Sequence, residues 1–173
     1  WTARTTSGSR SWWSIASSAD GLKLVAGVAG GLAYTSTDGG VSWTPRDSSR
    51  NWDWLASSAD GTRLIAAASS QLLMSLDGGT NWSPRESSRI WKSVAISGDG
   101  SQVLAVTQDD KIYSSTNGGA NWAPSDNNRI WYVAAISADG SKWIAAAGGG
   151  DIYTALPGSV LAGAQGSSIE LTY

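Results

Sequence analysis

A tetrapeptide, Ser-Ala-Asp-Gly or Ser-Gly-Asp-Gly, recurs four times in this 173-residue chain and places Asp20, Asp60, Asp99 and Asp139 at steps of 40, 39 and 40 residues. Arg10, Arg50, Arg89 and Arg129 stand ten residues before each aspartate. A period of this length means that the chain is built from stacked or radially arranged units, each too small to bury a core alone. A second pattern lies between the turns: Ser36-Thr-Asp38-Gly39-Gly40-Val-Ser-Trp43, Ser75-Leu-Asp77-Gly78-Gly79-Thr-Asn-Trp82 and Ser115-Thr-Asn117-Gly118-Gly119-Ala-Asn-Trp122.

Within a unit, short runs of Val, Ile, Ala and Trp alternate with clusters of Gly, Asp, Asn and Ser, which is the spacing of strands and turns. In the third unit the pattern predicts strands over 91–97, 102–107, 111–115 and 121–124, and the Asp99-Gly100 pair suits a hairpin turn. Four antiparallel strands in about 40 residues, repeated radially, make a β-propeller blade. The expectation is an all-β propeller of four blades of four antiparallel strands. The blades fall at about 8–46, 47–85, 86–125 and 126–157 in a single domain spanning 1–173.

Trp1-Thr-Ala-Arg4 reads like Trp43-Thr-Pro-Arg46 and Trp82-Ser-Pro-Arg85, whereas the fourth unit lacks that segment. An N-terminal strand over 1–4 is therefore expected to complete the last blade and close the ring, removing an exposed sheet edge. The alternative is a half-ring that dimerises into eight blades. The tail over 158–173 alternates apolar and polar residues at Ile169, Leu171 and Tyr173, which predicts one extra strand. Because the chain opens at Trp1 in mid-motif, a signal peptide or other upstream sequence is expected before it.

Composition removes several function classes. With neither Cys nor His there is no thiolate site and no imidazole ligand or base, and no metal or other cofactor is expected. A net charge of -2 without a basic stripe argues against nucleic acid. Apolar runs such as Trp143 to Ala147 are far shorter than the roughly 20 residues that span a bilayer, so membrane insertion is not expected. Asp109-Asp110 and Asp151 supply too few oxygens for calcium, and the glycine-rich runs lack the strand-to-helix context of a phosphate loop.

The element Ser-x-Asp-x-Gly-x-x-Trp resembles the Asp-box of sialidases and other repeat propellers, including photosystem assembly factors and sortilin-type receptors. The resemblance rests on three copies. It implies structural roles for Ser36, Asp38, Gly40 and Trp43, for Ser75, Asp77, Gly79 and Trp82, and for Ser115, Asn117, Gly119 and Trp122. In that family the aspartate caps the hairpin between the third and fourth strands and the tryptophan packs beneath it, on the outer rim. Asn117 departs from the pattern, and the fourth copy has decayed. Sialidase chemistry needs an arginine triad, a Tyr with a Glu partner and an acidic Asp, and those surrounding motifs are missing. With two glutamates in the chain, Glu86 and Glu170, a paired-carboxylate glycosidase site is also hard to build. No enzymatic activity is expected.

Candidate ligand-binding residues are the pairs Arg10 with Trp12, Arg50 with Trp52, Arg89 with Trp91, and Arg129 with Trp131, which recur where one blade crosses to the next. Loops on a rigid scaffold carry binding sites, an indole face suits the C–H face of a sugar, and Arg gives directional hydrogen bonds. The same pairs also have a structural reading, in which Trp packs between blades and Arg pairs with Asp47, Glu86 or Asp126. The next column, Trp13, Asp53, Lys92 and Tyr132, changes chemistry in every unit while its neighbours do not; Trp13 and Tyr132 are further ligand-binding candidates, and specificity resides in this column if it faces solvent near the axis. The expected function is a lectin-like recognition module for a glycan or cell-surface partner, secreted, periplasmic or on the cell surface, with several weak sites acting together, in a monomer or a dimer. The competing readings are a protein-interaction or structural scaffold and a fragment of a longer repeat protein.

Overall fold

In the computed structural model, residues 1–157 are described, without the side chains of 126 and 127; the expected extra strand over 158–173 lies outside the described residues. Strands β1 (Trp12–Ser17), β2 (Leu24–Val28), β3 (Gly31–Ser36) and β4 (Thr44–Arg50) form the first sheet. The second holds β5 (Trp52–Ser57), β6 (Leu64–Ala68), β7 (Gln71–Ser75) and β8 (Ser83–Pro84). The third holds β9 (Trp91–Ile96), β10 (Val103–Thr107), β11 (Asp110–Ser115) and β12 (Ala123–Arg129). The fourth has β13 (Trp131–Ile136), β14 (Trp143–Ala147) and β15 (Ile152–Ala155). All pairings are antiparallel meanders, and among the described residues the one helical element is a 3-10 turn over Thr5–Ser7. No helix there is long and apolar enough to cross a membrane.

The repeated Ser-x-Asp-Gly sequence makes the β1–β2 type of hairpin. Ser18 Oγ donates to Asp20 Oδ1 at 2.5 Å and accepts from the Lys23 amide at 3.0 Å, while the Gly21 amide bonds the Ser18 carbonyl with Gly21 at φ 72°. The same bonds recur at Ser58, Ser97 and Ser137. These turns also tie the sheets together: the amides of Ala19, Ala59 and Gly98 donate to the carbonyls of Ala59, Gly98 and Ala138 at 2.7–2.8 Å.

Each sheet is apolar on both faces and packs on the next. Between the first and second sheets lie Val25, Ala33, Trp52, Leu55, Leu64 and Ala66. Ile65, Leu72, Met74, Trp91 and Val94 fill the second junction, and Leu104, Ile112, Trp131, Ala134 and Trp143 the third. Contact between the innermost strands runs β1–β5–β9–β13, and no comparable contact returns from β13 to β1.

Residues 1–4, expected to supply the fourth sheet's outer strand, form no strand, and that sheet ends at β15. They lie instead beside the first sheet's own β3–β4 turn. Thr6 Oγ1 donates to the Val41 carbonyl at 2.6 Å, and the Arg4 side chain covers Gly40. The short helical turn at Thr5–Ser7 follows directly, with the Ser7 amide donating to the Arg4 carbonyl at 3.2 Å.

Candidate functional site

The Asp-box turns are closed hydrogen-bond clusters. Ser75 Oγ donates to Asp77 Oδ1 at 2.8 Å and accepts from the Gly79 amide at 2.8 Å; Asp77 then accepts from the Asn81 amide at 2.9 Å, and Trp82 Nε1 donates to the Gly79 carbonyl at 3.1 Å. Ser36, Asp38, Gly40, Ser42 and Trp43 repeat it, and Asn117 takes the aspartate's place among Ser115, Gly119, Asn121 and Trp122 with the same carbonyl-oxygen bonds. Both carboxylate oxygens of Asp38 and of Asp77 are engaged within the turn, which suits a structural job.

Hydroxyl and amide donors hold the turn carboxylates well below their ordinary value of 3.8. Asp38 falls to about 2, first through Ser42; Asp60, Asp99 and Asp139 fall to about 2, first through Ser58, Ser97 and Ser137. A folded-state value below the unfolded one gives stability that is present above about pH 4 and lost as pH falls through the folded value. Thermal melts followed by circular dichroism should therefore be level from pH 7 to 5 and drop between pH 4 and 2; an unchanged midpoint at pH 2 contradicts this role. Asp53 acts with the opposite sign, because burial raises its carboxyl and the Ser69 amide, followed by Lys92, offsets that only in part.

The Arg-x-Trp pairs of the second, third and fourth units lie against the core, whereas Arg10 of the first is exposed. Trp52 and Trp131 are fully buried, Trp91 is buried and Trp12 is half-buried. Their rings pack on Trp82, Tyr153, Tyr113 and Tyr34 at centroid distances of 5.1–5.4 Å. The guanidiniums cap these stacks: Arg10 sits 4.6 Å above Tyr34, Arg50 5.6 Å above Trp52, Arg89 4.3 Å above Tyr113 and Arg129 4.8 Å above Tyr153. Arg50 pairs with Asp47 at 3.1 Å, and Arg89 with Glu86 and Asp110 at 3.4 Å. An indole whose faces are covered cannot stack on a sugar, so the geometry gives Trp52, Trp91 and Trp131 a packing role in place of the ligand contact expected from sequence.

The neighbouring column has a different fate. β1 pairs Trp12 with Val28 and Ser14 with Gly27, so Trp13 is the extra residue of a β-bulge. Asp53, Lys92 and Tyr132 are skipped in the same way in the other three sheets. A bulge turns its unpaired side chain away from the regular pleat, and such positions often border binding sites. Trp13 is 68% exposed and Tyr132 54%, with Asp53 and Lys92 half-buried between them. Because the inner strands follow one another, these four side chains form a strip Trp–Asp–Lys–Tyr along the inner edge, with exposed Trp54 beside it.

The strip is held from behind. The carbonyls of Ser11, Asn51, Ile90 and Ile130, between each Arg and Trp, accept the amides of Ala29, Ser69, Gln108 and Gly148 in the β2–β3 type of turn at 2.6–3.0 Å. Sequence comparison among the units singles out the column; the bulge that exposes it has no sequence signal, since no glycine or proline marks it. A separate cleft of about 310 Å³ opens between the first two sheets at the rim, with Lys23, Arg46, Asp77 and Thr80 in its wall.

The BNR/Asp-box repeat family model matches residues 34–45, which hold the first Asp-box. No curated protein matches the chain in sequence. Among solved structures, YCF48 bound to D1 peptide is similar over 87% of this chain and 53% of its own, at TM-score 0.63 and 19% identity. The GH74 enzyme of Niastella koreensis is similar over 85% of this chain and 29% of its own, at TM-score 0.67 and 16% identity. The computationally designed Ika4 protein is similar over 85% of this chain and 91% of its own, at TM-score 0.66 and 12% identity. The chain spans about half of YCF48 and under a third of the GH74 enzyme. These likenesses show the fold: an all-β chain of propeller type, carrying a BNR/Asp-box repeat.

Proposed function

We propose that this chain is a non-enzymatic recognition module that binds an extended peptide of a protein partner along the Trp13–Asp53–Lys92–Tyr132 strip. The observation that carries the reading is that four successive bulges carry four chemically different side chains, with Trp13 and Tyr132 exposed and Asp53 and Lys92 half-buried. Four unlike positions suit a ligand whose own side chains change along its length: apolar groups against Trp13 and Tyr132, a basic group near Asp53 and an acidic one near Lys92. The likeness to YCF48 bound to D1 peptide supports a peptide ligand on this fold.

We take the four sheets as four blades at about 8–46, 47–85, 86–125 and 126–157. A lectin-like function is the second reading. It draws on the exposed rings of Trp13, Trp54 and Tyr132, and on a likeness to the GH74 xyloglucanase from Xanthomonas campestris, similar over 81% of this chain and 27% of its own at TM-score 0.63 and 16% identity. It also carries the placement outside the cell or at its surface. Burial of the repeated tryptophans removes the equal sites on which multivalent sugar binding would rest.

Peptide and glycan arrays probed with the purified chain separate the two. The expected result is selective peptide binding that weakens about 10- to 30-fold in Trp13→Ala and in Lys92→Glu, the range of an interface anchor. Glycan binding lost in Trp13→Ala moves the function to the second reading, and binding that survives both substitutions sinks the strip as the site.

A further inference from the structure

The junction between sheets is built three times in this chain, and each of its two halves keeps exposed apolar residues at one end of the arc, although Ala26, Val28 and Tyr34 of the first sheet are buried there. On the trailing face of the fourth sheet, Ile144 is 43% exposed and Ile152 69%, although their counterparts Val25, Ile65 and Leu104, and Ala33, Leu72 and Ile112, are all buried in a junction. On the leading face of the first sheet Ile15 is 66% exposed, while its counterparts Leu55, Val94 and Ala134 are buried. The polar groups are left over in the same complementary way. The ladder of turn bonds that joins Ala19 to Ala59, Ala59 to Gly98 and Gly98 to Ala138 leaves the Ala138 amide and the Ala19 carbonyl without a backbone partner among the described residues. Lys23 packs on Gly61 and donates to the Asp60 carbonyl at 2.9 Å, and Arg63 and Gln102 pack on Gly100 and Gly140. Their counterpart Lys142 is exposed, and Gly21, the matching turn, has nothing within 4 Å of where a Cβ would stand.

We propose that a second copy of this chain covers both ends, the two arcs closing into one ring of eight sheets. The trailing face of each copy meets the leading face of the other, so Ile144 and Ile152 pack on Ile15, Ala138 donates to Ala19, and Lys142 reaches the Asp20 carbonyl. The contact continues a junction already present three times, and a two-fold axis makes it twice, the trailing face of each copy on the leading face of the other, which closes the ring. Two copies give eight blades, the upper end of the usual four to eight, and three would exceed it.

The outer edge of β15 then finds its strand as well. By the match to 43–46, residues 1–4 of the second copy lie against β15 in the register in which Thr35 faces Thr44 and Ala33 faces Arg46. That register sets Thr154 opposite Thr2 and Ile152 opposite Arg4. The segment already sits at the leading end, over Gly40, where in the other sheets the preceding sheet's Thr35 or Met74 covers Gly79 or Gly119. It is thus on the side from which the partner's fourth sheet approaches.

The test is the mass of the purified chain in solution, with two variants. Light scattering after size exclusion at micromolar concentration should give twice the chain mass of 17.9 kDa. Ile144→Asp with Ile152→Lys should give a monomer whose circular dichroism matches the parent. The chain has no cysteine, so Thr2→Cys with Thr154→Cys gives a clean probe. Oxidation should link two chains, seen as a dimer on a non-reducing gel. An intrachain disulfide in a monomer overturns the proposal in favour of a ring closed by one chain. A wild-type monomer without crosslinking, or an open series of higher oligomers, overturns it also.

Discussion

Trp52→Ala should be the most damaging single substitution away from the turns, costing about 3–5 kcal/mol of folding stability. Trp52 begins β5, is completely buried and lies in the junction of the first two sheets with Val25, Ala33, Leu55 and Leu64. Its Nε1–H donates to the Gly31 carbonyl at 3.1 Å, so the same side chain that fills the junction also binds the first sheet directly. On its other side the ring meets Trp82 at 5.1 Å, beneath the second Asp-box. Gly27 shows how close the approach is: a Cβ there would fall 2.3 Å from Trp52 Cβ. Truncation therefore opens a cavity between sheets that cannot draw together without moving both backbones. Urea denaturation and thermal melting measure the effect; for a domain of this size the midpoint should fall by roughly 6–20 °C. Trp13→Ala, at the next position of the repeat but in the first sheet, and exposed, should change stability by no more than about 0.5 kcal/mol. Equal losses in the two variants would mean that the burial described for Trp52 is not what holds the junction.

The contrast between those two repeat positions also marks what sequence can reveal. Strand positions in the third unit were legible almost to the residue, with 91–97, 102–107 and 111–115 expected against Trp91–Ile96, Val103–Thr107 and Asp110–Ser115 observed, because Gly, Asp and Ser clusters punctuate each unit. The fourth strand, expected at 121–124, runs instead over Ala123–Arg129, since polar residues on an outer edge carry no hydrophobic signal of their own. Repetition located the candidate columns but not their orientation. Arg-x-Trp looks the same whether its indole faces a ligand or the next sheet, and only the packing of Tyr34, Trp82, Tyr113 and Tyr153 decides it. The bulges at Trp13, Asp53, Lys92 and Tyr132 come from the two-against-one count of pairing across strands, a property of two segments together that neither segment shows alone.

Ser75→Ala should cost about 1–3 kcal/mol, whereas Asp77→Asn should be nearly neutral at pH 7, although the aspartate is the residue for which the motif is recognised. Ser75 is buried, and its hydroxyl accepts from the Gly79 amide at 2.8 Å while donating to Asp77 at 2.8 Å. Removing it leaves the Gly79 amide buried without a partner, and the cost is that of the unmade bond rather than the small net value of a made one. Gly79 lies at φ 88° with Thr35 pressed against it, so the turn cannot swing its amide out to water. Asp77, by contrast, accepts from Ser75 and the Asn81 amide on Oδ1, a task that needs a carbonyl-type oxygen but no charge, and its Oδ2 accepts from Asn81 Nδ2 at 2.6 Å in an exposed bond that water can replace. The third unit contains the experiment already: Asn117 accepts from Ser115 and from the Asn121 amide at 2.9 Å each, in an otherwise identical turn. What the aspartate adds is pH dependence, since its lowered pKa is a stability that acid removes and an amide does not titrate. Asp77→Asn should thus melt as the parent does at pH 7 and lose less of its stability than the parent between pH 4 and 2. A large loss at pH 7 would mean that the charge itself holds the turn.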